Sequence, residues 1–340
     1  MYLCILISVK LTCNSVSGGR GAGKGYNLHT EMAFNIEEEY RNGHLVTAEM
    51  KKVWAVELDL LREFLGFCRR NGLRCWAEGG TLLGAVRHKG FIPWDDDVDL
   101  MMPREDYDHM NMIGNSQFRP PYFLQTAYTD TGYYRSHAQF RNSGTAAIRP
   151  SDSFQPFNQG IFIDIFVVDA VPPEGRGARL DDILKRSAYP RKLLKAVNMN
   201  VVYSGRFGQI FRKLKARRML KRSSWKDIYR QSEEVLRETC WNDTDKAAEL
   251  TMSGDRHIFD KSILDETVWL DFEDIQIPAP KRYEEFLRGE FGDDYMTPIM
   301  APNMHGGLVL DTERSYHEVL PEVRDEYRRG AWRRLRKKLF

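Results

Sequence analysis

The run Gly160-Ile-Phe-Ile-Asp-Ile-Phe-Val-Val-Asp169 is almost continuously apolar and is bounded by Gly160 and, beyond its end, Pro172. A segment of this length and composition has no polar face to offer water, so it reads as a central strand covered on both sides. Asp164 then stands in the middle of a buried strand. An unpartnered carboxylate there costs several kcal/mol or takes up a proton, so it calls for a cation, a metal or hydrogen-bond donors. A structural role as an acceptor of N–H groups is the plain alternative. We read Asp164 as one arm of a metal site.

Upstream, Trp94 to Leu100 spells W-D-D-D-V-D-L, with four carboxylates in five residues that repel one another. As a strand the run alternates faces, which puts Asp95, Asp97 and Asp99 on one side and Asp96 and Val98 on the other. Three carboxylates on one face invite a hard cation. Mg²⁺, with Mn²⁺ as its substitute, takes one or two carboxylates together with substrate phosphates, and a short acidic strand end suits it. The bland reading is a solvated acidic turn, but apolar residues from Phe91 to Trp94 and from Val98 to Met102 bracket the acids closely. By the same alternation, Asp96 is the acid expected to matter least.

Before the acids, Met50, Val53, Trp54, Leu58, Leu61, Leu65 and Cys68 recur at three and four residues, the period of an amphipathic helix that Asn71-Gly72 stops. A short strand from Leu73 leads into Glu78-Gly79-Gly80-Thr81. The two glycines allow a sharp turn and close approach of the backbone to a ligand, and Thr81 is suited to cap the helix that follows. Free N–H groups at such a helix start favour a phosphate. Arg87 and Lys89 at the far end of that helix, and Arg141 on what reads as an exposed turn, are candidate phosphate partners. His305, in the glycine-flanked loop P-N-M-H-G-G, is a candidate proton acceptor beside Asp164.

Charge is unevenly spread along a chain whose formal net charge is only +2. Residues 176 to 226 hold sixteen Lys or Arg against Asp181 and Asp182, interleaved with apolar residues such as Leu193, Phe211 and Leu214. Basic amphipathic helices suit an anionic membrane or an anionic polymer. No recognisable nucleic-acid motif accompanies the charge, so no specific nucleic-acid partner is expected. The five cysteines form no CxxC pair, which fits reduced thiols in a cytoplasmic protein. No apolar run approaches the ~20 residues that cross a bilayer, and peripheral attachment to the inner membrane face is the expected alternative to a freely soluble state. Gly18 to Gly25 nearly spells a P-loop, but Gly25 stands where the magnesium-binding hydroxyl belongs. Residues 1–30 read as a flexible leader, 31–175 as the catalytic core, 176–245 as a basic helical insertion, 246–310 as its completion and 311–340 as a basic amphipathic tail.

The run E-G-G-T-L-L-G-A-V-R-H-K-G-F-I-P-W-D-D-D-V-D-L, residues 78 to 100, resembles the LicD family of phosphocholine transferases. F-I-D-I-F-V-V-D at 162 to 169 matches too, and F-G-D-D-Y-M-T-P and His305 match more loosely, so the resemblance spans roughly residues 46 to 306. Fukutin-type ribitol phosphate transferases look like distant relatives. The resemblance implies an α/β (α+β) fold, a nucleotidyltransferase-like mixed sheet flanked by helices. On it Gly79, Gly80 and Thr81 match the family's turn, Asp97 and Asp99 its acidic pair and Asp164 its third carboxylate, while Asp95 matches relatives that read D-x-D-x-D.

The expectation is a Mg²⁺- or Mn²⁺-dependent transferase. It would move a phospho-alcohol, phosphocholine first, from a CDP-linked donor to a hydroxyl of a cell-surface glycan or anionic polymer, with Asp95, Asp97, Asp99 and Asp164 about the metal. A nucleotidyltransferase acting on an NTP, and a non-catalytic membrane- or polymer-binding module, are the alternatives. A basic nucleic-acid-binding protein ranks below both.

Overall fold

Thr47 starts the first long helix, α1 (Ala48–Asn71), by accepting the Met50 N–H at 3.2 Å, and Gly72 ends it in the left-handed conformation at φ +65°. One face of α1 carries Trp54, Leu58, Leu61 and Phe64, all fully buried. Each such side chain contributes roughly 1.5–3 kcal/mol when removed from water. The computed structural model describes residues 34–199, 207–251, 257–300 and 307–339, with 207 and 331–339 as backbone. The leader with its P-loop-like glycines, His305 and the side chains of the basic tail beyond Gly330 lie outside the described residues.

In chain order, a hairpin of β1 (Glu39–Arg41) and β2 (His44–Val46) precedes α1. It is followed by β3 (Trp76–Ala77), α2 (Gly79–His88), β4 (Asp99–Pro103), α3 (Arg104–Gln117), β5 (Tyr122–Gln125), β6 (Ala138–Asn142), β7 (Ala146–Ile148) and β8 (Ile161–Ala170). Helices α4 (Ala178–Asn198), α5 (Ile210–Met219) and α6 (Trp225–Leu236) fill the basic segment. Then come β9 (Lys246–Ala248), β10 (Phe259–Asp260), the hairpin β11 (Thr267–Phe272) and β12 (Ile275–Pro280), α7 (Tyr283–Phe291), β13 (Val309–Asp311) and α8 (Tyr316–Leu339).

The fold is a mixed α/β architecture in which β8 is the central strand. Its neighbour on one edge is β4, parallel; on the other edge β6 pairs with its first half and β9 with its last two residues, both antiparallel. Strand β3 extends the sheet beyond β4, β5 beyond β6 and β10 beyond β9. Ile161, Ile163, Ile165 and Val167 join α1 in the main core. The alternate residues Phe162, Asp164 and Phe166 instead line a cavity. The expected strand is therefore present, with one face covered by core and the other by a site.

The basic segment is packed onto the rest of the structure. Leu194 of α4 and Ile228 and Tyr229 of α6 form a second apolar cluster with Tyr133, Tyr134 and Phe157. Arg104 ties α6 to the sheet: its guanidinium meets Asp169 at 2.7 and 2.8 Å and Glu233 at 3.2 Å. Among the described residues no helix is long and apolar enough to cross a membrane.

Candidate active site

A row of polar residues crosses three strands at one level. Asp99 of β4 and Asp164 of β8 are register partners, and Asp164 is in turn opposite Gln139 of β6. On the other side the Glu78 N–H donates to the Asp99 carbonyl at 3.0 Å. Partners in register share a face of the sheet, so the two carboxylates are forced side by side by backbone pairing alone.

Asp95, Asp96 and Asp97 reach this row from a loop, not from the strand that alternation predicts. Strand β4 begins only at Asp99. The loop is fixed by a local turn and a remote contact: the Asp95 N–H bonds Ile92 O at 2.9 Å, Trp54 Nε1 donates to the Asp95 carbonyl at 3.0 Å, and Phe91 stacks on Trp54 at 4.5 Å. Freed from alternation, Asp96 joins its neighbours, and oxygens of Asp95, Asp96 and Asp97 lie within 4.8 Å of one another. Beneath them Glu57, three residues after Trp54 on the same face of α1, is buried at 2% exposure and its Oε2 has no hydrogen-bond partner.

The electrostatics of these acids suit a cation. Burial first, and then Asp97, push Asp95 up to about 8. Burial, Asp97 and Asp164 push Asp99 well above the usual carboxylate range, and burial with Asp97, Asp96 and Asp95 does the same to Glu57. Asp99 Oδ1 is buried without a hydrogen-bond partner. Among the described residues no Lys, Arg or His forms a salt bridge with Asp95, Asp99 or Glu57. All of these groups are hard oxygen donors, the set that Mg²⁺ or Mn²⁺ takes. Asp164 behaves differently. Burial raises it, but His137, Arg135 and Gln139 together outweigh burial and hold it below the usual range. Gln139 Nε2 donates to Asp164 Oδ1 at 2.7 Å, and His137 Nε2 stands 3.0 Å from the same oxygen, off the hydrogen-bond line.

Asp97, Asp99 and Asp164 line a cavity of about 280 Å³ together with Arg135, His137, Arg141, Arg149 and Asp152 and the rings of Phe157, Phe162 and Phe166. Arg141, Phe162 and Phe166 share the sheet face that carries Asp164, and Arg135 is paired with Asp152 at 3.3 Å. Arg141 is not on an exposed turn. It lies on β6 at 2% exposure because its guanidinium is satisfied by Gln125 Oε1 at 2.5 Å, Gln139 Oε1 and Gly160 O. All three acceptors are neutral, so the positive charge faces no carboxylate in contact, and burial brings Arg141 down to about 10. Arg135, His137 and Gln139 were not singled out from the sequence. Their signal is the spacing Arg135, His137, Gln139, Arg141, every second residue approaching and entering a strand.

The glycine turn also does more than offer N–H groups. Helix α2 starts at Gly79 with Glu78 at its N-cap. Gly79 needs its lack of side chain for its φ of +51°, whereas a Cβ on Gly80 would stand 2.7 Å from Asp95 Oδ2. Thr81 is inside the helix, where its Oγ1 accepts the Asp99 N–H at 2.8 Å. The helix start is thus turned toward Asp95 and Asp99. Arg87 and Lys89 do not reach this place. They sit some 12–15 Å along α2 at 1.5 Å per residue, Arg87 donates to the carbonyls of Tyr295 and Thr297, and Lys89 is an exposed C-cap.

A turn of two glycines, an acidic loop entering a strand and a third acid on the parallel neighbour make up the arrangement that the sequence resemblance implied. Residues 72–170 match the LicD/FKTN/FKRP nucleotidyltransferase domain. The LicD-type segment is shorter than the 46–306 span expected, and it excludes Glu57. Within the curated proteins, the chain is 35% identical over 118 residues to the lipopolysaccharide cholinephosphotransferase LicD of Haemophilus influenzae, 34% of this chain and 43% of that protein. It is 43% identical over 56 residues to the human ribitol 5-phosphate transferase FKRP, 16% of this chain and 11% of that one. Similarity to mannosyltransferase regulator 4 of Saccharomyces cerevisiae is 26% over 149 residues, 43% of this chain and 12% of that one. The chain thus covers less than half the length of these relatives. Asp95, Asp97, Asp99, Gln139, Arg141 and Asp164 all fall inside the LicD-type segment.

Proposed function

We propose that the chain is a metal-dependent transferase that moves a phospho-alcohol, phosphocholine first, from a CDP-linked donor to a hydroxyl of a cell-surface glycan or anionic polymer. One observation carries the reading: a single cavity brings Asp97, Asp99 and Asp164 together with Arg141 and Arg149, and with Arg135, which Asp152 pairs. Carboxylates suit a divalent cation and guanidinium groups suit phosphate oxygens, and a diphosphate with its metal needs both.

Asp97, Asp99 and Asp164, with Asp95 beside them, would hold Mg²⁺ or Mn²⁺. A cation bound there supplies positive charge against the donor diphosphate and the CMP leaving group. Arg141, fixed by neutral acceptors, keeps its charge for the phosphoryl oxygens and needs no reorganisation to offer it. The acceptor oxygen forms its bond to the phosphorus that bears the alcohol, the bond from that phosphorus to CMP breaks, and the hydroxyl proton passes to a base. A carboxylate held low by His137, Arg135 and Gln139 is a weak base, which favours Asp164 as a cation ligand over Asp164 as proton acceptor. The rings of Phe157 and Phe166 in the cavity wall give a quaternary ammonium the aromatic surface it prefers, which supports choline as the first headgroup. At about 280 Å³ the cavity lies at the lower edge of the range for a drug-sized ligand, so the nucleoside would extend outside it.

The test is incubation of the purified chain and Mn²⁺ or Mg²⁺ with CDP-choline or with CTP. Release of CMP from the first, and no pyrophosphate from the second, is expected. Pyrophosphate from CTP would move the reading to a nucleotidyltransferase, and turnover of neither, with a panel of CDP-alcohols and acceptors, to a binding module.

A further inference from the structure

Helix α5 turns its apolar side chains away from the protein. Phe211 is 81% exposed, Leu214 57% and Ile210 41%, whereas Ala216 is buried at 1%. At 3.6 residues per turn, Ile210, Leu214, Arg218 and Phe211 fall within an arc of about 100° centred opposite Ala216. The helix packs on α4 through the other side. An amphipathic helix of a globular protein does the reverse and buries its apolar stripe.

The rest of α5 is cationic. Its ten residues include Arg212, Lys213, Lys215, Arg217 and Arg218 and no acid. Among the described residues no carboxylate forms a salt bridge with any of the five. Arg212 instead bonds Gln209 at 2.6 Å, Lys213 bonds the Met199 carbonyl at 2.7 Å, and Lys215 meets the hydroxyl of Tyr189, whose ring is itself 45% exposed on α4. Lys221 and Arg222 continue the charge just beyond the helix.

We propose that α5, with Tyr189, seats the chain on an anionic lipid bilayer. A helix lying in the interface buries its apolar stripe at the boundary of headgroups and acyl chains while its flanking cations meet the lipid phosphates. A soluble polyanion would satisfy the cations and leave Phe211 and Leu214 in water, so the apolar stripe chooses the bilayer over a polymer. The surface uses none of the residues that line the acid cavity, and the proposal stands apart from the transferase reading.

The experiment is co-sedimentation of the full chain with vesicles of phosphatidylcholine alone or mixed with phosphatidylglycerol, alongside retention on immobilised heparin. Binding to the anionic vesicles that weakens with salt, and little binding to phosphatidylcholine, is expected. The double substitution Phe211→Ser with Leu214→Ser lies on an exposed face, so circular dichroism should be unchanged. It should weaken vesicle binding about tenfold and leave heparin retention intact. Vesicle binding equal to wild type in that variant overturns the proposal, as does a wild-type chain that holds heparin but no vesicle. So does light scattering that shows a dimer in the wild type and a monomer in the variant, because a second copy would then be what covers the face.

Discussion

Asp99 and Asp164 are paired residues of the parallel strands β4 and β8, so the hydrogen bonding of the sheet sets their side chains side by side on one face. Their backbones cannot separate without breaking the pairing. If both ligate one cation, Asp99→Asn and Asp164→Asn should each weaken Mn²⁺ binding by at least about a hundredfold. The double substitution should be little worse than either, because groups that act as one unit do not add. Calorimetric Mn²⁺ titration of the three variants checks this, and additive losses would point to two independent roles.

Thr81 connects the glycine turn to that pair. Replacing it with Val keeps its shape but leaves the Asp99 N–H without its acceptor at 2.8 Å. A buried donor left unsatisfied costs about 1–3 kcal/mol. Urea denaturation should report a loss of that size for Thr81→Val and a smaller one, about 0.8 kcal/mol, for Thr81→Ser, which retains the oxygen and gives up only a buried methyl. Equal stability of the two variants would remove the hydrogen bond from the account.

What the sequence made legible is what local pattern encodes. The apolar run at β8, the period of α1 and the left-handed stop at Gly72 are all local, and the resemblance to LicD proteins supplied the acids, the glycines and the mixed sheet. Alternation misses the acidic loop because it assumes a strand: a local turn, closed by the Asp95 N–H on the Ile92 carbonyl, keeps the acids out of the sheet, and the remote Trp54 holds the Asp95 carbonyl there. Arg141 read as exposed because its acceptors, Gln125 and the Gly160 carbonyl, come from a neighbouring strand and the loop before β8. Glu57 was passed over because a Glu in an amphipathic helix normally faces water. Its place three residues after Trp54, on the apolar stripe, was the available sign.

Gly80 gives a prediction that separates fold from site. A methyl group there meets only the end of the Asp95 side chain, at 2.7 Å from Oδ2, and no backbone. Asp95 can swing aside, so Gly80→Ala should retain the folded state by circular dichroism. The displaced carboxylate should nonetheless weaken Mn²⁺ binding about tenfold or more. A variant that binds Mn²⁺ like the wild type would place Asp95 outside the cation site.

The metal-free chain should lose stability as pH rises. Asp95 is raised from 3.8 to about 8, and Glu57 and Asp99 are pushed well above the ordinary range, in each case by burial first and by neighbouring acids next. In that window the folded chain holds protons that the unfolded chain has released. Stability falls with pH wherever the folded state binds more protons, so the Asp95 contribution is fully present below about pH 4 and is lost as pH climbs to about 8, and Glu57 and Asp99 act in the same direction. His88 and His257, which burial holds down at about 4, act in the opposite sense between that value and 6.5. Above about pH 6.5 the histidine contribution has levelled off and the acids dominate. In EDTA the melting temperature should therefore decline from about pH 6.5 to about pH 8, and saturating Mn²⁺ should flatten the decline by supplying the countercharge. Glu57→Gln should raise the melting temperature in EDTA at the upper end of that window and reduce the slope, because it replaces an ionising group with a neutral one of the same shape. A melting temperature that rises with pH in EDTA over this window would mean that the acids are already ionised beside a countercharge, and the cation site would have to be abandoned.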